Sequence, residues 1–223
     1  MKEILQRLQN KKILLAAVLI GLVGTLFFTG LNTVRLKREN REIKARLDRE
    51  IQQGIAGEVF RLHVIANSDT EKYQELKLKV KTRIVEYLKE ILGEDAGLDA
   101  TKEGVLTHLT EIEQEAEKLI EEQGFDYSVK AVVEKTYFPE KTYGDCTFPA
   151  GEYEALNVRI GKAKGKNWWC VLYPSLCFLD DTYGIVEEEK KEDLKKVLTT
   201  EEFQEILGDK DEKKKMRFGF RWF

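Results

Sequence analysis

The side chains able to act as nucleophiles, bases or metal ligands are few: two histidines, His63 and His108, and three cysteines, Cys146, Cys170 and Cys177. His63 with Asp69 and either Cys170 or Cys177 would supply a base, an orienting acid and a thiol nucleophile. That set defines the alternative function, a membrane-tethered cell-envelope hydrolase built on a Cys/His pair. No G-x-S-x-G, H-E-x-x-H or comparable local pattern accompanies it. Zinc asks for four Cys or His ligands at short spacing, and neither histidine has a second such residue near it in sequence. No catalytic residue, metal or cofactor is therefore assigned.

Cys170 and Cys177 flank Pro174, so a turn can bring them to the Cα separation a disulfide requires. In an exported domain that bridge would close a short loop. The competing state is three buried thiols packed as small apolar groups. The odd cysteine count leaves at least one outside any intramolecular bridge.

These residues need elements to hold them. Phe60, Leu62, Val64 and Ala66 alternate with Arg61, His63, Ile65 and Asn67, a strand period. Ser68-Asp69-Thr70-Glu71 reads as a capping box, the Ser68 hydroxyl accepting from the Glu71 amide while the Glu71 carboxylate reaches back. Leu76, Val80, Ile84, Leu88 and Ile91 give the following helix a buried stripe, stopped by Gly93. A second helix over about residues 99–123 carries Val105, Leu109, Ile112, Ala116 and Leu119. Strands are expected from Tyr127, from Glu152 and across NWWCVLY. A charged helix follows at about 187–207, with a break at Thr199-Thr200, and KMRFGFRWF closes the chain as a strand. This order predicts an α+β domain: a mainly antiparallel sheet with helices packed on one face, preceded by an apolar amino-terminal helix.

The face of that sheet away from the helices would carry Arg61, His63, Asn67, Lys130, Glu134, Asn157, Arg159, Arg217 and Arg221. It is basic in a chain of net charge −3 and pI near 5.7. Such a face is either an ordinary solvated surface or a docking face for an acidic partner or anionic headgroups. Arg61, His63, Asn67, Arg159 and Trp169 are the candidate partner contacts. Trp168 and Trp169 alternate, so one ring fills the core and the other reaches the surface. The overall acidity gives no reason to expect nucleic acid, and no small-molecule substrate is indicated.

The amino terminus carries the strongest compositional signal. From Ile13 to Leu31 there is no charge, and at about 1.5 Å per residue the stretch reaches roughly 28 Å, close to a bilayer's hydrocarbon thickness. Residues 1–31 form a signal peptide or membrane anchor. Residues 32–57 are a charged helical linker with Leu36, Ile43, Leu47, Ile51 and Ile55 at helical spacing, ended by Gly54 and Gly57. Residues 58–223 form the α+β domain.

The strings FRLHVIANSDTEKYQELKLKVKTRIVEYL and YGDCTFPAGEYEALNVRIGKAKGKNWWCVLYPSLCF, behind an apolar leader, together resemble the stage II sporulation protein R family of endospore-forming bacteria. The resemblance runs from about Phe60 to Asp180. It implies a signalling protein with no catalytic residues, exported from the forespore into the intermembrane space and either secreted or held by its amino-terminal helix. It also implies a partner: a membrane-embedded aspartic protease that processes the precursor of mother-cell sigma factor E.

Overall fold

The computed structural model describes residues 2–93, 96–177 and 186–208, with side chains from residue 11 onward. The expected closing strand, KMRFGFRWF, lies outside the described residues, and so do Arg217 and Arg221. The chain divides into two compact units between Arg49 and Glu50.

The first unit belongs to one long helix, α1 (Lys2–Glu58). Ile13, Leu19, Phe27 and Leu31 on its apolar stretch are all more than half exposed. The helix is long and apolar enough to cross a membrane by length and composition. Its hydroxyls are satisfied internally: Thr25 donates to Leu22 O, Thr29 to Thr25 O and Thr33 to Thr29 O, at 2.8–2.9 Å. That is how a helix carries hydroxyls where no water can serve them. Beyond Thr33 the surface turns charged, with Arg35–Glu39 and Arg38–Glu42 paired one turn apart.

In the second unit, a four-stranded sheet runs β2 (Val129–Phe138), β5 (Gly151–Ile160), β1 (Phe60–Ile65), β6 (Asn167–Tyr173). β1 and β5 are parallel; the β2–β5 and β1–β6 pairs are antiparallel. A small hairpin, β3 (Lys141–Tyr143) and β4 (Cys146–Phe148), stands apart from this sheet and was not anticipated. The α+β class and the mainly antiparallel sheet agree with the sequence reading.

α2 (Glu71–Ile91), α3 (Leu98–Thr107) and α4 (Leu109–Glu122) cover one face. Leu76, Val80, Ile84 and Leu88 of α2, with Ile112, Ala116 and Ile120 of α4, pack on Leu62, Val64, Leu156 and Val158. The single helix expected over 99–123 is divided at His108. Its Nδ1–H donates to Gly104 O at 2.8 Å and satisfies a carbonyl at the end of α3.

The capping box at Ser68 and Glu71 does not form. α2 begins at Glu71 with Thr70 in the cap position, and no side chain makes the cap bond. The box instead sits at Thr199, where Thr199 Oγ1 accepts from Glu202 N and Glu202 Oε2 accepts from Thr199 N. It starts α6 (Thr200–Leu207), which follows α5 (Glu188–Val197) across the break foreseen at Thr199-Thr200.

The opposite sheet face departs most from expectation. Much of it is covered by a second core: Ile55 and Val59 at the end of α1, Phe148 of the hairpin, Leu194 of α5, and Phe203 and Ile206 of α6. These pack on Phe138, Tyr153, Ala155 and Val171 of the sheet. α1 does not stop at Gly54. A Cβ at that position would collide with the Glu202 carboxylate, so glycine lets α6 approach α1 closely.

Candidate functional site

Alternation along β1 aims Arg61 and His63 at the second core, and both are buried. The Arg61 guanidinium lies 4.1 Å from the Phe138 ring centroid and 4.8 Å from that of Tyr153. Its Nη2 donates to Tyr143 Oη at 2.9 Å, and Tyr143 passes a hydrogen bond on to Trp169 O. Among the described residues no carboxylate pairs with it, and Nε and Nη1 find no acceptor. Burial lowers the pKa of Arg61, opposed by the two tyrosines. Cation–π contacts take the place of an ion pair here.

His63 stands opposite Asn157 on β5 and Trp169 on β6. Asn157 Nδ2 donates to Thr136 Oγ1 and Ala155 O, which fixes the amide so that Oδ1 faces the imidazole. His63 Nδ1 therefore carries the proton and donates to Asn157 Oδ1 at 2.7 Å. Burial, the largest cause, lowers the imidazole pKa and keeps the ring neutral. Nε2 is buried and makes no close hydrogen bond among the described residues, while the Asn167 side chain, with Asn157, opposes the effect of burial on the ring. The Trp169 ring stacks on His63, with centroids 5.6 Å apart, and Lys141 Nζ sits 4.2 Å from the indole centroid. Trp169 is half-buried in the second core, while Trp168 packs toward the first with Lys81 against it.

Arg159 is half-buried and bonded to Glu134 across the β2–β5 pair. Asn67 is buried, and its Oδ1 accepts from Lys162 N at 2.9 Å. Asp69 Oδ1 accepts from Lys166 N at 2.6 Å. HVIANSD and GKAKGKN therefore clamp one another: the end of β1 caps the turn between β5 and β6. Of the five candidate contacts, the structure brings Arg61, His63 and Trp169 into one cluster. Arg159 lies on the same sheet face, near enough to oppose protonation of His63, but outside the stack, and Asn67 lies at the end of β1. The buried positions of Arg61, His63 and Asn67 correct the expectation of a solvated polar face.

The thiols do not join this cluster. Cys170 and Cys177 form a disulfide with Cα atoms 5.3 Å apart. Both lie in the first core, on the far side of the sheet from His63, because Cys170 is in register with Leu62. The Cys/His hydrolase alternative therefore loses both its nucleophile and its geometry. Cys146 is free but buried, and burial pushes its thiol up to about 11. Among the described residues no group of His, Cys, Asp or Glu stands together as a metal site. Sequence reasoning missed Phe138, Tyr143, Phe148 and Tyr153, the cage around Arg61. The aromatic spacing of TYFPEKTYGDCTF was the available signal for Phe138, Tyr143 and Phe148, with Tyr153 five residues beyond it.

Residues 56–183 match the family described as stage II sporulation protein R. The chain belongs to this family. It is also 36% identical over 163 residues to the stage II sporulation protein R of Bacillus subtilis strain 168, covering 72% of each chain. No solved structure matches. The stretch matched to the stage II sporulation protein R family begins in the last turn of α1. It takes in the cage, the His63–Trp169 stack, the clamp and the disulfide.

Proposed function

We propose that the chain is an exported sporulation signal. It acts by contact on a membrane-embedded aspartic protease that processes the precursor of mother-cell sigma factor E. The observation that carries this reading is the family match, which spans the whole sheet. Two features support export: the apolar segment of α1, and a disulfide, which persists in oxidising surroundings outside the cytoplasm. An activator must bind one state of its receptor better than another, and a tenfold population shift needs about 1.4 kcal/mol of such difference. Trp169 and Arg159 are partly accessible and provide the direct contacts. His63 stacks behind Trp169, and Arg61 and Asn67 hold the surface from within.

Reconstitution tests the proposal. The chain is co-expressed in exported form with the protease and the sigma precursor, and processing is followed by immunoblot. Processing should require the chain, disappear on deletion of residues 1–31, and weaken with Trp169→Ala and with Arg159→Glu. Precursor cleavage that proceeds equally without the chain would overturn the activator role.

A further inference from the structure

The turn between β5 and β6, GKAKGKN, contains three lysines and no acid. Lys162, Lys164 and Lys166 are all exposed. Its backbone is held from several sides. Asn67 accepts from Lys162 N and Lys164 N, Ala66 O from Gly165 N, and Asp69 from Lys166 N. The buried Lys77 donates to Lys166 O. Gly165 packs so close to the Ser68 carbonyl that a Cβ would collide with it, and Ala163 adopts φ 49°. The three exposed lysines thus stand on a backbone frame held by the end of β1 and by α2.

Beside the turn lies an aromatic floor. Tyr73, Phe125 and Tyr127 are half-buried, with centroids 5.6–5.9 Å apart and the two phenol oxygens 2.6 Å apart. Tyr127 lies directly under Gly161, and Lys72 Nζ is 4.9 Å from the Tyr73 centroid. Some lysines elsewhere in the domain pair with acids, such as Lys102 with Glu154, Lys130 with Glu113 and Lys191 with Asp145. Among the described residues Lys72, Lys162, Lys164 and Lys166 have no carboxylate partner. The patch sits at the carboxyl end of β1, about 20 Å along the strand from Phe60.

We infer that the Lys162–Lys166 turn and its aromatic floor form a docking surface for an anionic lipid headgroup layer. Its makeup favours lipid over an acidic protein. Lysines act as point charges without the forked geometry with which arginine reads individual carboxylates. Tyrosine and tryptophan rings suit the headgroup level of a bilayer. Lysine clusters are attracted to anionic leaflets within a Debye length, and Lys162, Lys164 and Lys166 stand on an exposed turn. This inference is independent of the proposed protease partner.

The test uses the full chain held in neutral phosphatidylcholine nanodiscs, so that the apolar helix is already occupied. These are mixed with vesicles of equal parts phosphatidylglycerol and phosphatidylcholine, or of phosphatidylcholine alone, and binding is read by flotation. Binding should need phosphatidylglycerol, fall with added salt, and drop at least tenfold in Lys162→Glu/Lys164→Glu. Lys162→Gln/Lys164→Gln, which keeps the stems, should lose affinity in the same direction, and melting temperatures of both variants should match the parent. Lys118→Glu/Lys135→Glu, equal in charge but away from the turn, should bind as the parent does. Equal binding to neutral vesicles, or equal losses in the two glutamate doubles, would overturn the inference. So would competition by polyglutamate at the same charge concentration as the vesicles.

Discussion

His63 and Asn157 face each other across the parallel β1–β5 pair and share a 2.7 Å hydrogen bond from Nδ1 to Oδ1. The bond requires no charge on the imidazole, and burial holds its proton affinity below that of a free histidine. The unfolded chain takes up a proton near pH 6.5, while the folded state resists. Stability is therefore full above about pH 6.5 and declines as pH falls toward the lower folded-state pKa, below which the loss stops growing. Melting temperature recorded from about pH 7.5 down to pH 5 should show that decline. His63→Asn keeps a donor near the Nδ1 position and should flatten it; an unchanged slope in the variant would exclude His63 as the origin.

Among the described residues Arg61 is the largest fully buried side chain, and its cage is aromatic. Arg61→Ala removes the stem and the stacked plane and opens a cavity between Phe138 and Tyr153. A loss of about 3 kcal/mol or more is expected, by analogy with other large-to-small core changes. Arg61→Met fills the same space without a charge to desolvate, and should be far milder than alanine. Denaturant midpoints of the three proteins check the order. Methionine more damaging than alanine would mean that the charge, not the packing, holds the cage together.

The first core was legible because each of its segments advertises its own period. Phe60, Leu62 and Val64 alternate, and Leu76, Val80, Ile84 and Leu88 recur every four residues. The second core was not, since it gathers one or two residues from each of many distant segments, such as Ile55, Phe148, Leu194 and Phe203. None of these segments is strongly periodic by itself. Alternation correctly assigned Arg61 and His63 to the face away from α2, but a period of two says nothing about what covers a face. The disulfide spacing was readable because a short loop around a proline limits the geometry. His108 hid the division of α3 from α4, because a side chain capping its own helix leaves the apolar stripe unbroken.

The motif HVIANSD separates two roles that its sequence runs together. Asn67→Ala leaves the Lys162 amide without its acceptor and should cost about 1–2 kcal/mol, the usual penalty for an orphaned partner. Ser68→Ala should stay within about 0.5 kcal/mol, because the Ser68 hydroxyl does not cap α2. Thr199→Ala, which breaks the box that does form, should cost about 1 kcal/mol. Urea unfolding followed by far-UV circular dichroism ranks them. A Ser68 effect as large as that of Thr199 would restore the cap to Ser68.

Cys170 sits in β6 beside Leu62, and Cys177 returns to the same core after the Pro174 turn, so the bridge pins the end of an edge strand. Closing so short a loop restricts the unfolded chain by about 2–3 kcal/mol in the chain-entropy account. For a domain of this size that corresponds to roughly 5–10 °C in melting temperature. Calorimetry with and without dithiothreitol should show the shift, and a Cys170→Ala/Cys177→Ala protein should melt at the lower temperature under both conditions. Cys146→Ala should retain the full reductant effect, because its thiol, pushed up to about 11 by burial, takes no part in the bridge. Identical melting of oxidised and reduced wild type would show that packing around Leu62 and Leu172 holds β6 without help from the bond.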